Sequence, residues 1–285
     1  MSTINKGSSS SAIKKLISAA MILCCIAASG CNAQTDTKST VESAASVTES
    51  AAESVPVQTA DAPEKLYSST QKEIDSPDWV KALPEAKAEN NKQLFIVGGL
   101  GMDKTTATIS MHQKDEKGNW KQIMSTPGYI GLNGMCLDRD HSEGAAQTPI
   151  GTYHFNKAFG IADDPGCAIP YIKVDDDTYW SGDDREGYHY NEMVDIKDYP
   201  DLNMDNSEHI VHYEYEYQYC LNISFNEDAV PGKGSAIFLH CIGAKKPYTG
   251  GCVAIPENKM KFVMQNVDPD CVVVIDTFEK LGGEF

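Results

Sequence analysis

The stretch AIFLHCIGAKKPYTGGCVAIP, residues 236–256, decides both the fold and the chemistry expected of this chain. Its first seven residues are apolar except for His240 and predict a β-strand, and a second apolar run begins at Cys252. The separation of 12 positions between His240 and Cys252 fits a hairpin-like return that brings imidazole and thiol into hydrogen-bond range. Strand alternation places His240 on one face with Phe238 and sends Cys241 to the other, as a core residue.

This pairing predicts a cysteine nucleophile. The thiolate is the reactive form of cysteine, a free thiol has a pKa of about 8.5, and an adjacent imidazole lowers it. Gly250 and Gly251 lack Cβ atoms, so the amides of Gly250, Gly251 and Cys252 can face a carbonyl oxygen as an oxyanion hole. We therefore expect Cys252 as nucleophile and His240 as its base. The alternatives are a buried structural cysteine and a hydrogen-bonded core histidine.

Working outward, the chain from Gln93 onward consists of short apolar or alternating segments separated by turn residues. This pattern predicts a mainly β fold, a sandwich or barrel with a few short helices, over residues 93–285. The run PENKMKFVMQN predicts a helix with Pro256 at its first turn. GGLG at 98–101 is expected in a hairpin loop rather than a phosphate loop.

Two other segments of the folded part carry predictions. Residues 66–92 are a lead-in segment with a short helix around Ser76 to Glu89. The stretch YEYEYQY at 213–219 alternates aromatic with acidic or amide residues and predicts an amphipathic strand. A sugar-stacking surface is the alternative function for its aromatic face.

Several motifs together resemble the L,D-transpeptidases with a YkuD-like catalytic domain. The family's histidine, Ser/Thr, variable residue, Gly and Cys match His240, Thr249, Gly250, Gly251 and Cys252. Upstream, QTPIGTYHF is similar to the family's TPxGxF segment, and TYWSGDDREGYHYNEMV to its aromatic and acidic segment. CVVVID resembles the closing strand. The resemblance spans about residues 93–276.

The resemblance implies a peptidoglycan L,D-transpeptidase with an L,D-transpeptidase-like β-sandwich or barrel. Cysteine acyl transfer would act at the bond between the L-centre of the third residue and D-Ala at position four of a stem tetrapeptide. The products would be 3→3 crosslinks or, by hydrolysis, a tripeptide. The resemblance also implies that no cofactor is needed, that a backbone carbonyl orients the imidazole, and that carbapenem-type β-lactams inhibit the enzyme.

This sequence departs from the family in ways that concern substrate binding. The loop between histidine and cysteine is shorter than usual, Cys241 stands where many members have Gly, and Ala254 stands where Arg or Asn commonly follows the nucleophile. Arg185 is the candidate to bind substrate in place of the missing Arg or Asn at position 254. The alternative is that Arg185 is a solvated arginine beside its acidic neighbours. The other candidate substrate contacts are Thr249, Tyr248 and Trp180.

The N-terminus predicts export and lipidation. Residues 1–30 carry three lysines and the apolar run LISAAMILCCIAASG, shorter than the roughly 20 residues of a membrane span. Ala-Ser-Gly before Cys31 resembles a lipobox, so Cys31 is the expected lipidation site, and an ordinary signal peptide is the alternative. Residues 31–65 are rich in Ser, Thr, Ala and Glu and predict a disordered stalk. The expected location is outside the cytoplasm, anchored to the membrane and acting in the cell wall.

Charge and cysteine content narrow the function classes. Cleavage before Cys31 would change the formal net charge from -17 to about -20, which excludes nucleic acid as a partner. The six cysteines beyond Cys31 show irregular spacings without a CxxC pair, so no zinc ribbon is indicated.

Two rival functions remain open at this stage. His209 and His212, with His141 and His189, raise the question of a zinc-dependent wall hydrolase, but their spacing lacks the helical HExxH arrangement. The other rival is a non-catalytic lipoprotein that binds cell-wall fragments.

Overall fold

The computed structural model describes residues 73–284. The predicted signal peptide, the lipidation site Cys31 and the stalk lie outside the described residues. No helix of the described part is both long and apolar enough to span a membrane.

Strands dominate the fold. They are β1 (Ile74–Asp75), β2 (Gln93–Gly99), β3 (Thr106–Lys114), β4 (Trp120–Tyr129), β5 (Met135–Leu137), β6 (Thr148–Gly160), β7 (Tyr171–Lys173), β8 (Thr178–Ser181), β9 (Glu192–Asp195), β10 (Glu208–His209), β11 (Cys220–Ile223), β12 (Phe238–Cys241), β13 (Val253–Ile255) and β14 (Val272–Thr277). The helices are α1 (Asp78–Ala82), α2 (Pro84–Lys87) and α3 (Glu257–Asn266), with short 3₁₀ turns elsewhere. The mainly β prediction is confirmed.

The main sheet closes on itself. Its strands follow the order β1-β4-β13-β12-β11-β6-β14-β2-β3, and β3 also pairs with β4, so eight of them form a barrel. β5 and β7 pair with β6, while β10, β8 and β9 form a separate three-stranded sheet. The barrel interior holds the largest apolar cluster, which includes Phe95, Ile109, Leu239 and Val253. Closure removes the exposed edges that an open sheet of this size would present.

A second apolar cluster lies on the opposite face of β12 and β11. It contains Phe238, Phe159, Trp180, Tyr217 and Cys252. Phe238 therefore faces this cluster while Leu239 and Cys241 face the barrel interior. The face predicted for each of these residues, and the core position of Cys241, are confirmed.

The strands that carry the predicted catalytic pair are arranged differently from the prediction. β12 and β13 pair in parallel, with His240 opposite Ala254, so the connection is a crossover and not a hairpin. The pairing still puts both side chains on one face, because Cys252 lies immediately before β13, two positions from Ala254, which pairs with His240. The predicted helix after Pro256 is confirmed as α3, with Pro256 as its N-cap residue.

Three further predictions have clear outcomes. Gly98 and Gly99 end β2, and Leu100 and Gly101 lie in the loop that joins β2 to the antiparallel strand β3, as expected for a hairpin. The lead-in segment forms two short helices, α1 and α2, and Val80 of α1 and Leu83, between the helices, pack against the outer face of β2. The strand predicted for YEYEYQY is wrong, because residues 216–218 form a 3₁₀ turn in which Tyr217 stacks on Tyr213.

Candidate active site

Cys252 lies immediately before β13, at the base of an open cavity. Its side chain is 6% exposed, and its sulfur has two polar partners from the neighbouring strand and the segment before it. The backbone amide of Phe238 donates to Sγ at 3.3 Å, and the thiol donates to the carbonyl of Ala236 at 3.1 Å. These contacts fix the sulfur against the backbone of residues 236–238.

His240 presents one ring nitrogen as a base. Its Nδ1 lies 2.7 Å from the carbonyl oxygen of Cys241. A carbonyl accepts but cannot donate, so Nδ1 carries the proton and Nε2 of the neutral imidazole is left as the basic nitrogen. The ring of Tyr217 packs edge-on against the imidazole, with centroids 5.3 Å apart. Cys241 thus supplies the orienting carbonyl that the resemblance implies.

Burial keeps the imidazole neutral. Desolvation lowers the pKa of His240 to about 4, opposed in part by the hydrogen bond to Cys241 and by the charge of Glu216. At neutral pH the imidazole therefore enters a reaction ready to accept a proton.

The thiol is also held in its uncharged form. Burial raises the pKa of Cys252 well above its ordinary value, and the charge of Glu208 raises it further. Hydrogen bonds from the Phe238 amide and the Tyr217 side chain oppose this shift but do not overcome it. The thiol pKa lowering expected from the sequence is wrong for the resting site, because desolvation of the sulfur outweighs its hydrogen bonds.

The glycine turn before Cys252 is held by two threonines. Thr249 Oγ1 donates to the carbonyl of Cys252 at 2.6 Å and accepts from the Gly251 amide at 3.2 Å. Thr148, from the TPIG segment, donates to the carbonyl of Gly251 at 2.7 Å. Gly251 adopts φ +139°, and a Cβ there would come within 2.9 Å of the Gln147 carbonyl, so glycine is required at this position.

One of the three predicted oxyanion donors is already engaged, because the Gly251 amide points to Thr249. Neither threonine engages the amides of Gly250 and Cys252, and the Cys252 amide lies close enough to its own sulfur to lower the thiol pKa. These two amides are therefore the remaining candidates for contact with a ligand oxygen.

The cavity above the thiol has a volume of about 700 Å³. Cys252, His240, Thr249, Tyr248 and Gly250 all line it. Its wall is predominantly acidic, with the carboxylates of Glu143, Asp184, Asp205, Glu208 and Glu216 against the one ammonium group of Lys246. Such a cavity favours ligands that carry an amine.

Comparison with known proteins identifies the domain. The family model described as the L,D-transpeptidase catalytic domain, YkuD, matches residues 103–275, more than half of the chain. The chain belongs to the YkuD family. The YkuD domain is a catalytic domain of the L,D-transpeptidase class, a class of acyltransferases.

Further comparisons add little to this identification. One similar solved structure is the helical cell shape determining protein Pgp2 from Campylobacter jejuni, at 14% identity and a TM-score of 0.34. The match covers 70% of this chain and 54% of that chain, so this chain spans about half of that protein's length. No curated protein matches in sequence.

Two of the predicted substrate contacts do not reach the cavity wall of the YkuD domain. Trp180 is 2% exposed and lies beneath the site, stacked on Phe159. Arg185 forms a bidentate ion pair with Asp183, with Nε 2.8 Å from Oδ1 and Nη2 2.6 Å from Oδ2. Its guanidinium group also lies over the ring of Tyr188. This pair lowers the pKa of Asp183 to about 2, and it fixes Arg185 to the acidic segment.

The histidines considered for zinc do not converge. His209 Nδ1 lies 3.0 Å from His212 Nε2, whereas His189 contacts Glu192 and His141 contacts two backbone carbonyls elsewhere. In the described part of the chain no group of three or more metal-binding side chains comes together. The six cysteines beyond Cys31 are all unpaired.

Three residues of the site, Asn191, Glu208 and Tyr217, were not predicted as site residues from the sequence. Asn191 Oδ1 accepts from Trp180 Nε1 and from the Ala236 amide, both at 3.0 Å, and so holds the carbonyl that faces the thiol. Glu208 and Tyr217 form a 2.6 Å hydrogen bond beside Cys252. Asn191 and Glu208 lie in a loop and a two-residue strand, where one polar side chain gives no periodic pattern, and the alternation around Tyr217 predicts a strand that does not form.

Proposed function

We propose that this YkuD domain is a cysteine L,D-transpeptidase in which Cys252 is the nucleophile and His240 the general base. The observation that carries the proposal is the shared face of β12 and β13, where a thiol and an imidazole with a basic Nε2 open onto one cavity. The substrate bond is the amide between the L-centre of the third stem residue and D-Ala at position four.

In the first half-reaction the sulfur attacks the carbonyl carbon of that amide. The thiol proton passes to His240 Nε2 as the sulfur–carbon bond forms, because both groups start neutral. The C–N bond then breaks, and D-Ala leaves with the proton returned by the imidazolium. A thioester on Cys252 remains.

In the second half-reaction an amine of another stem attacks the thioester carbon. His240 takes a proton from the amine nitrogen, the carbon–sulfur bond breaks, and the thiol recovers that proton. The product is a 3→3 crosslink, and attack by water instead releases a tripeptide. The acidic cavity wall supports an amine acceptor by attracting its ammonium form to the site.

The oxyanion formed in each half-reaction needs fixed donors. The amides of Gly250 and Cys252 are the candidates, and Gly251 contributes through the backbone conformation that aims them. Loss of one such donor typically reduces turnover on the order of 100-fold or more.

We also propose that the domain acts outside the cytoplasm, tethered through a lipid on Cys31. The apolar N-terminal run and the small residues before Cys31 support this location. Residues 32–65 would then give the domain the reach to meet the wall polymer.

The test is release of D-Ala from tetrapeptide muropeptides by wild-type protein and Cys252→Ala. The variant should lose activity and keep its circular dichroism spectrum, and Cys136→Ala and Cys167→Ala are the matched thiol controls. Intact mass after mixing with a carbapenem should show one adduct, absent in Cys252→Ala. Activity that survives in Cys252→Ala but is lost with a chelator would favour a zinc hydrolase. Muropeptide binding without turnover or adduct would favour a binding protein.

A further inference from the structure

Glu208 and Tyr217 lie beside the nucleophile, and the proposed acyl transfer gives them no role. Tyr217 is 3% exposed and packs between Phe238 and the His240 ring. Its hydroxyl donates to Glu208 Oε2 at 2.6 Å. Hydrogen bonding from the same side chain lowers the pKa of Cys252, whereas the charge of Glu208 raises it. One hydroxyl therefore serves two competing acceptors.

We propose that Glu208 and Tyr217 form a two-state relay that controls the reactivity of Cys252, in which the single hydroxyl proton of Tyr217 goes either to the carboxylate or to the sulfur. This inference rests on the proposed function of Cys252 as nucleophile. Tyr217 and Glu208 are positioning residues in this account, because they act through the sulfur and not on the substrate.

In the first state Glu208 is ionised. Its Oε2 holds the Tyr217 proton, and its negative charge opposes a second negative charge on the sulfur. The hydroxyl donates only one proton, so in this state it cannot also donate to a thiolate. The nucleophile is then in its less reactive form.

In the second state Glu208 carries a proton. The carboxyl O–H donates to the Tyr217 oxygen, and the Tyr217 O–H turns to the sulfur. The proton count balances, since one proton is added at the carboxyl group and each hydroxyl keeps its own. A thiolate forming on Cys252 would then gain a donor and lose a neighbouring charge.

The surroundings of Glu208 place the change between the two states near neutral pH. Burial raises the pKa of Glu208 to about 7, the hydrogen bond from Tyr217 lowers it, and the charge of Glu143 across the cavity raises it. The thiol of Cys220 and the hydroxyl of Tyr213 also feel the Glu208 charge.

The titratable side chains next to Glu208 on β10 and on β8 contact other residues. His209, next to Glu208 on β10, stacks on Tyr179 of β8 and contacts His212. Trp180, which faces Glu208 in register, has no titratable group. The change between the two states is therefore assigned to the protonation of Glu208 and not to that of a neighbouring side chain.

The experiment measures the pH dependence of Cys252 alkylation by iodoacetamide, followed on the Cys252 peptide by mass spectrometry in the full-length protein. In wild type the logarithm of the rate should rise with pH at a slope near one and flatten around pH 7, where Glu208 ionises. Glu208→Gln, whose amide donates permanently to Tyr217, should give a straight line. Above pH 7 it should react about tenfold faster than wild type, equivalent to about one pKa unit of the thiol.

Tyr217→Phe keeps the packing ring and removes the shared hydroxyl. It should slow alkylation below pH 7, and in its background Glu208→Gln should keep only the part of its effect that comes from removing the Glu208 charge. Asp205→Asn is the matched control, because it removes an exposed carboxylate from the same cavity wall and should leave the profile unchanged.

The outcomes separate this inference from the proposed function. A Glu208→Gln profile that keeps the wild-type flattening would overturn the relay while leaving acyl transfer intact. A full Glu208→Gln effect in the Tyr217→Phe background would also overturn it, because a through-space charge would then be sufficient. A wild-type protein with the expected profile but no release of D-Ala would contradict the function and not the relay.

Discussion

Asn191 should be essential to the site although it touches neither substrate nor sulfur. Its Oδ1 accepts from Trp180 Nε1 and the Ala236 amide, and its Nδ2 donates to the carbonyls of Phe225 and Asn226, all at 3.0 Å. Asn191→Gly removes these four bonds without backbone strain, since residue 191 has φ +58°. Two donors are left unsatisfied, at about 1–3 kcal/mol each, so the free energy of unfolding should fall by about 2–6 kcal/mol.

The same variant should also impair acyl transfer. The Ala236 carbonyl accepts from the Cys252 thiol at 3.1 Å, and residue 236 has φ +56°, a strained conformation for alanine that the Asn191 bond helps to hold. When that bond is lost the carbonyl should move, and a displacement of about 1 Å costs about 100-fold in turnover. Urea unfolding and D-Ala release measure the two effects.

Asn191→Asp is the matched variant for this experiment. It keeps the Oδ1 acceptor for Trp180 and Ala236 but turns a negatively charged oxygen towards two carbonyls. Stability should therefore fall in both variants, whereas turnover should fall much further in Asn191→Gly. The reasoning is refuted if Asn191→Gly unfolds within 0.5 kcal/mol of wild type, on the scale of ordinary surface substitutions, with unchanged turnover.

Three further outcomes follow from burial, backbone geometry and targeting. Burial lowers the pKa of His112 and of His240 from 6.5 to about 4 in the folded protein. Between pH 6.5 and pH 4 the unfolded chain therefore binds protons at these histidines that the folded chain does not. Stability is thus full above pH 6.5 and should fall by on the order of 3 kcal/mol per histidine towards pH 4. Urea unfolding of His112→Gln should show a shallower pH dependence, and a parallel curve would contradict the assignment. Gly250→Ala, with no atom within 4 Å of its added Cβ, should keep the wild-type melting temperature, whereas Gly251→Ala should lower it. Cys31→Ser should move the protein from the membrane fraction to the medium or leave an uncleaved precursor, and a soluble wild-type protein would exclude the lipid anchor.

Much of the fold follows from local patterns in the sequence. The alternation in residues 236–241 gives the correct faces for Phe238 and Cys241, and Pro256 gives the correct start of α3. Such segments are predictable because one local period determines which side chains are buried. The barrel closure by β3 and β4 is a long-range pairing that no local pattern encodes.

The YEYEYQY segment illustrates how tertiary packing overrides a local period. Its alternation has the period of a strand, but Tyr213 and Tyr217 are four positions apart and stack in successive turns. Tyr217 gains burial against Phe238 and a partner in Glu208, neither of which is near in sequence. The folded chain therefore favours turns that insert one tyrosine into the site over a strand that would expose every second side chain.

The shared cavity position of His240 and Cys252 follows from the sequence pattern, whereas the electrostatic state of the two side chains does not. The residue types at 240 and 252 suggest an ion pair, yet burial depends on the surrounding fold and holds both groups neutral. A neutral pair carries no charge to desolvate in the resting enzyme, so burial of the site is compatible with stability. In the proposed reaction, charge develops only as the sulfur attacks, when His240 Nε2 would accept the proton and the backbone amide of Phe238 already faces the sulfur. The donors that would stabilise this charge are those fixed before the reaction begins, so Asn191 and the glycine turn should bear on the proposed chemistry as much as the proposed nucleophile itself.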